Sequence, residues 1–156
     1  MSLTGSRWSR RLFGGQLRVR QITNEVVFLD ANVVMYAVGS EHPYRLPCQQ
    51  VMTAIANDAL KAAIDTEIVQ EILHRYGALR RHTEAVAVAE DLLALVHLVY
   101  PVTLRDIRRA LELFAEYSAH GAQARDTIHA AIMQNNGIRL IVSADRHFDR
   151  IEGIEA

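Results

Sequence analysis

The chain is short of the residues that mark unusual protein classes. It has one cysteine, Cys48. One thiol cannot build a disulfide framework, and its presence fits a reducing, cytoplasmic setting. Only three prolines and eight glycines occur, so no collagen-like or low-complexity segment is present. No apolar run approaches the roughly 20 residues needed to cross a bilayer, and no secretory apolar segment follows the start. No membrane partner is therefore expected. Aromatic residues make up 6% of the chain and are scattered, which gives no stacking platform for single strands. There is no internal repeat.

What is present is an ordinary globular composition, half hydrophobic over 156 residues, enough for one domain with a real core. The net charge of −1 conceals an asymmetry. Residues 1–24 carry Arg7, Arg10, Arg11, Arg18 and Arg20 and no acid, leaving 12 bases against 18 acids in residues 25–156. An acidic body is unlike a passive nucleic-acid binder, but it suits a protein whose acids hold metal. The leader, broken by Ser6, Ser9, Gly14 and Gly15, reads as disordered. A transit peptide or a basic arm for nucleic acid are its other readings.

Apolar patterning from residue 25 onward alternates strands with helices. Val26–Leu29 is a short buried strand ending in Asp30, followed by a helix over 32–37. Pro47 opens a helix through residue 60, with Val51, Met52 and Ile55 in phase. Residues 61–65 form a second strand, and Thr66 caps a helix over 67–79 with Ile68, Ile72, Tyr76 and Leu79 as its stripe. A helix over 83–95 follows, with Val86, Ala89, Leu93 and Val96 in phase, and then a third strand over 96–102. Thr103 caps a helix to residue 117 with Ile107, Leu111 and Phe114 on one face. A helix over 123–135 leads to a fourth strand, 139–142, and a fifth strand is expected near Ile154. Such alternation implies an α/β domain with a mainly parallel central sheet and helices on both faces.

Ligand sites in parallel sheets lie beyond the carboxyl ends of the strands. Asp30 and Asp145 emerge there, after the first and fourth strands. Glu71, in the second turn of the helix leaving strand two, and Asp126, in the first turn of the helix before strand four, belong near the same edge. Four carboxylates together repel, and Mg²⁺ or Mn²⁺ suits such hard oxygen donors. Such ions activate water and stabilise a phosphodiester transition state. Each acid also has an ordinary reading. Asp30 could be a turn residue or helix cap, Glu71 a solvated helical acid, Asp126 a partner of the helix dipole, and Asp145 an Asx-turn.

Four segments, in this order, carry a family resemblance: Phe28-Leu29-Asp30-Ala31-Asn32-Val33, Thr66-Glu67-Ile68-Val69-Gln70-Glu71-Ile72-Leu73, Arg125-Asp126-Thr127-Ile128-His129-Ala130-Ala131, and Ile141-Val142-Ser143-Ala144-Asp145-Arg146-His147-Phe148. Over residues 25–156 the chain resembles the PIN domain family, and within it the VapC-type toxins of bacterial toxin–antitoxin systems. The resemblance implies a PIN-like three-layer α/β/α sandwich and a Mg²⁺- or Mn²⁺-dependent endoribonuclease. Asp30, Glu71, Asp126 and Asp145 match the family's acidic quartet. Asp30, Asp126 and Asp145 would hold metal and Glu71 would hold metal or orient the water. Asn32 and Ser143 match its polar supports. A cognate antitoxin and a homodimeric toxin are also implied.

The sequence departs from the pattern at Ala31, where a hydroxyl residue is frequent, and at His147, where an aspartate is frequent. His147 could meet a phosphate or be a solvent-facing loop residue. His129, one turn after Asp126, either lines the site or flanks it. Arg75, Arg125 and Arg146 are candidates for the RNA backbone, with Arg80 and Arg81 further along; a solvated charged face is the alternative for each. An apolar groove for an amphipathic partner helix is expected around Met52, Leu60, Leu73 and Leu79. Rival readings are a PIN-fold module with a decayed site, a PIN nuclease of RNA processing outside any toxin system, and an aspartate-based phosphotransfer enzyme. Against the last, position 32 is Asn and no lysine follows the fourth strand.

Overall fold

The computed structural model describes residues 25–144. The leader and the expected fifth strand lie outside them. The elements in chain order are β1 (Val26–Leu29), α1 (Ala31–Val38), α2 (Arg45–Ala56), β2 (Lys61–Asp65), α3 (Thr66–Ala78), α4 (His82–Leu95), β3 (Leu98–Tyr100), α5 (Leu104–Tyr117), α6 (Ala124–Asn135) and β4 (Leu140–Val142), with a 3₁₀ turn at Ser118–His120.

The four strands are parallel, in the order β3-β2-β1-β4. Val27 lies opposite Ala62 on one side and Leu140 on the other. Successive steps from β1 to β2 to β3 run in one direction across the sheet, so right-handed crossovers put α1–α4 on one face. The return from β3 to β4 passes over both central strands and puts α5 and α6 on the other. Pairing of α1 with α2, α3 with α4, and α5 with α6 follows that division. The result is a three-layer α/β/α sandwich. Phe28, Leu29, Ile64, Ile68, Ile72, Met52 and Ile132 form the middle of its core.

Several local expectations change. The α3 cap is Asp65, whose Oδ1 accepts the Ile68 amide at 3.0 Å; Thr66 is the first helical residue and accepts the Val102 amide instead. Strand β3 is shorter than expected. The Val96 amide still bonds to Leu92 at the end of α4, and Pro101 has no amide to offer. Leu98 and Val99 are partly exposed on this edge strand.

Helix α4 buries Ala85, Val88, Ala89 and Leu92, leaving Val86 and Leu93 exposed. The two alanines let it lie close against α3. Helix α5 buries Asp106, Ala110 and Leu113 rather than Leu111 and Phe114. A capping box joins Thr103 to Asp106, and the same Asp106 accepts the Asn135 amide at 2.8 Å. These bonds turn the Asp106 side of the helix inward. Leu79 lies past α3 and is exposed, as is Leu73, while Met52 and Leu60 are core residues. The four expected groove residues therefore do not share a surface.

Candidate active site

Asp30 directly follows β1 and Asp65 ends β2, side by side at the carboxyl edge of the sheet. Asp30 stands at the N-cap position of α1, yet its side chain makes no capping bond. Its carboxylate turns instead to β4, where Ser143 Oγ donates to Oδ2 at 2.7 Å. The Asn32 amide donates to the same hydroxyl oxygen at 3.2 Å, and its Oδ1 accepts the Ala144 amide at 3.1 Å. Asn32 and Ser143 thus fix both Asp30 and the chain leaving β4. Burial pushes the Asp30 carboxyl above its ordinary value; the Ser143 bond and the His129 charge oppose this, while Glu71 and Asp126 add to it.

Glu71 is on the buried side of α3 with 8% exposure, so it is no solvated helical acid. His129, from α6, is fully buried. Its Nδ1 lies 2.6 Å from Asp65 Oδ2 and its Nε2 lies 3.2 Å from Glu71 Oε1. Ionised carboxylates only accept. Both ring nitrogens therefore donate, and the ring is a cation. Burial alone would lower its pKa, but the bonds and charges of Asp65 and Glu71 outweigh that and hold it at about 10.

Asp126 occupies the first turn of α6, half-buried, and its Oδ2 accepts the Gln123 amide at 3.3 Å. Its charge reaches Asp30. Arg125 approaches Glu71 Oε1 at 3.4 Å. Asp145, Arg146 and His147 lie outside the described residues.

The sequence pattern places Asp65 inside the second strand and Thr66 at the cap, yet the strand-end rule that selects Asp30 selects Asp65 equally well. A cleft of about 530 Å³ reaches Asn32 and Ala144 and is lined also by Tyr36, His42, Arg75 and Arg81; none of Asp30, Asp65, Glu71 and Asp126 lines it. Tyr36 and His42 pack at 4.6 Å between ring centroids, and Tyr44 stands edge-on to both. The aromatics scattered in sequence thus include one local cluster.

A family model described as PIN domain matches residues 27–154. The chain belongs to the PIN domain family. Ribonuclease VapC13 of Mycobacterium tuberculosis is 34% identical over 131 residues, covering 83% of this chain and 98% of that protein. Among solved structures, VapC20 of the same species, described as a toxin that cleaves the sarcin–ricin loop, superposes with a TM-score of 0.66 at 18% identity, covering 77% of this chain and 90% of that one. VapBC2 of Rickettsia felis, bound to a DNA fragment from its promoter, gives 0.63 at 14% identity, covering 83% and 95%. Both share the fold of this PIN domain.

The donor set can accept a cation. Asp30, Glu71 and His129 each bring a ligand-capable atom within 4.8 Å of the others. His129 is a poor ligand as placed, because both nitrogens already donate to carboxylates. With His129 set aside, the converging donors of this cluster are the carboxylates Asp30 and Glu71. They are hard oxygens that suit Mg²⁺ or Mn²⁺ rather than a soft metal.

Proposed function

We propose that the protein is a Mg²⁺- or Mn²⁺-dependent endoribonuclease, the toxin of a toxin–antitoxin pair. The observation that carries this reading is the meeting of Asp30 and Glu71 at the carboxyl edge of the sheet, with Asp126 close enough to act on Asp30. Residue 145 follows directly on Ala144, which is anchored to Asn32, and we assign Asp145 to the same group. Relatives named as ribonucleases, matched over 98% and 84% of their length, support the substrate class.

In this reading Asp30, Asp126 and Asp145 hold the metal, which when bound supplies charge neutralisation at the phosphate and a more acidic water. Glu71 orients the attacking water. Asn32 and Ser143 hold Asp30 in place. Attack on phosphorus leaves a 5′-phosphate and a 3′-hydroxyl. Arg75 and Arg81 on the cleft, with Arg125 and Arg146, steer the RNA backbone. His147 is a candidate phosphate contact.

The neighbouring structures of VapBC complexes support a cognate antitoxin that blocks the site, and we infer a cytoplasmic homodimer. No helix among the described residues is long and apolar enough to cross a membrane. The deciding experiment is cleavage of RNA by the purified chain with Mg²⁺, with Mn²⁺ and with EDTA. Metal-dependent cleavage that Asp30→Asn abolishes supports the reading. Intact RNA under every condition would leave the protein a binding module with a decayed site. Co-purification with the product of the adjacent gene tests the antitoxin.

A further inference from the structure

The acidic edge holds two buried ionisable groups that the proposed chemistry does not use, Asp65 and His129. Among the described residues His129 is the only buried basic side chain. It sits between Asp65 and Glu71, and Phe28 packs against its ring at 5.3 Å. Both Asp65 oxygens are committed, Oδ1 to the α3 amide of Ile68 and Oδ2 to His129. The residue is fully buried, so this carboxylate has no other fate.

A buried ionic network is costly, and apolar side chains of similar size commonly serve stability as well or better. The network here ends on a carboxylate of the site. Oε1 of Glu71 takes His129 at 3.2 Å and Arg125 at 3.4 Å, while no bond falls on Oε2 among the described residues. Arg125 is 43% exposed in its side chain and is the weaker of the two holds.

We propose that Asp65 and His129 form a clamp that positions Glu71, tying up Oε1 so that Oε2 is presented to the reacting centre. His129 is then a positioning residue acting through Glu71, and Asp65 a positioning residue acting through His129. The arrangement joins β2, α3 and α6, and it removes the rotational freedom that a glutamate side chain otherwise keeps. The consequence for catalysis rests on the ribonuclease reading. The orientation of Glu71 does not.

The test uses the full chain and four variants: His129→Gln, Asp65→Asn, Glu71→Gln and the His129→Gln/Glu71→Gln double. Asn is as good a helix cap as Asp, so Asp65→Asn keeps the α3 cap while weakening the grip on His129. With ¹³C-labelled glutamate, the Glu71 carboxyl resonance is identified by its loss in Glu71→Gln. The clamp requires this resonance to move toward the position of exposed glutamates in His129→Gln and in Asp65→Asn, in folded protein by circular dichroism. It also requires kcat to fall by about 10- to 100-fold, with KM for RNA little changed. In the Glu71→Gln background His129→Gln should cost nothing further. An unmoved resonance in folded Asp65→Asn overturns the clamp, as does full kcat in both single variants. If the parent cleaves no RNA, the ribonuclease reading fails and the resonance alone decides the clamp.

Discussion

Ser143 donates its hydroxyl proton to Asp30 across 2.7 Å, joining the end of β4 to the end of β1. This bond is a main influence holding the Asp30 carboxylate ionised against its burial. Ser143→Ala should therefore raise the Asp30 pKa further and shift the acid limb of the cleavage profile to higher pH. The stability loss should be about 1 kcal/mol, the usual net worth of such a bond. A pH–rate profile of parent and variant checks the first, and urea denaturation the second.

Asp30→Asn keeps the shape and removes one buried charge. Its raised pKa means that the folded state carries the ionised form at a cost. That cost is present above the folded pKa and relieved as pH falls through it. The metal-free variant should be as stable as the parent at neutral pH or more so, and inactive. Mn²⁺ should raise its melting temperature less than the parent's, since a ligand stabilises only through binding to the native state. Melting curves with EDTA and with Mn²⁺ measure both. Retained metal-dependent cleavage would sink the assignment of Asp30.

His129 gives a pH dependence of the same sign in a higher window. Its pKa rises from 6.5 to about 10 on folding. Between these values the native state holds a proton that the unfolded chain has lost, so stability falls as pH rises. The contribution is complete below about pH 6.5 and gone once pH passes 10. The groups that set it are Asp65 and Glu71, in direct contact, with Asp30 and Arg125 nearby. The metal-free parent should lose melting temperature from pH 7 to pH 10, and His129→Gln should lose less. Equal slopes would show that the ring is not a cation in the fold.

The basic leader supplies a prediction from sequence alone. Its five arginines lie in a stretch with no periodic apolar face, so a chain starting at residue 25 should melt at nearly the temperature of the full chain. RNA affinity at low salt should drop, because phosphate contacts release counterions. Calorimetry and a salt titration of RNA binding separate the two effects.

The order of strands and helices was legible because apolar periodicity is local. Asp30 was legible from its place at a strand end. Asp65 obeys the same rule, but Thr66 beside it is an equally good cap by residue type, so sequence alone does not single out the aspartate. The burial of His129 could not be read from spacing, since its partners lie 64 and 58 residues away. Local spacing makes a histidine beside an apolar stripe a flank residue; only the convergence of β2, α3 and α6 makes it an internal cation. Helix α5 misled for a related reason. It carries apolar residues over a wide arc, and the choice of face was made by Asp106 and its bond to Asn135.

The pairing of β1 with β4 sets a schedule for the ribosome. The first strand of the described fold waits for β4, whose Leu140 lies opposite Val27, to complete its pairing. Asp30 waits likewise for Ser143, over a hundred residues later. Chains are extended at about 5–20 residues per second, so many seconds separate the two. During that interval the nascent chain can pack β1 against β2, but the carboxylate of Asp30 lacks its donor. A product ending before β4 therefore lacks the hydroxyl that bonds Asp30. The acidic edge gains these supports only once β4 and the residues that follow it have been made.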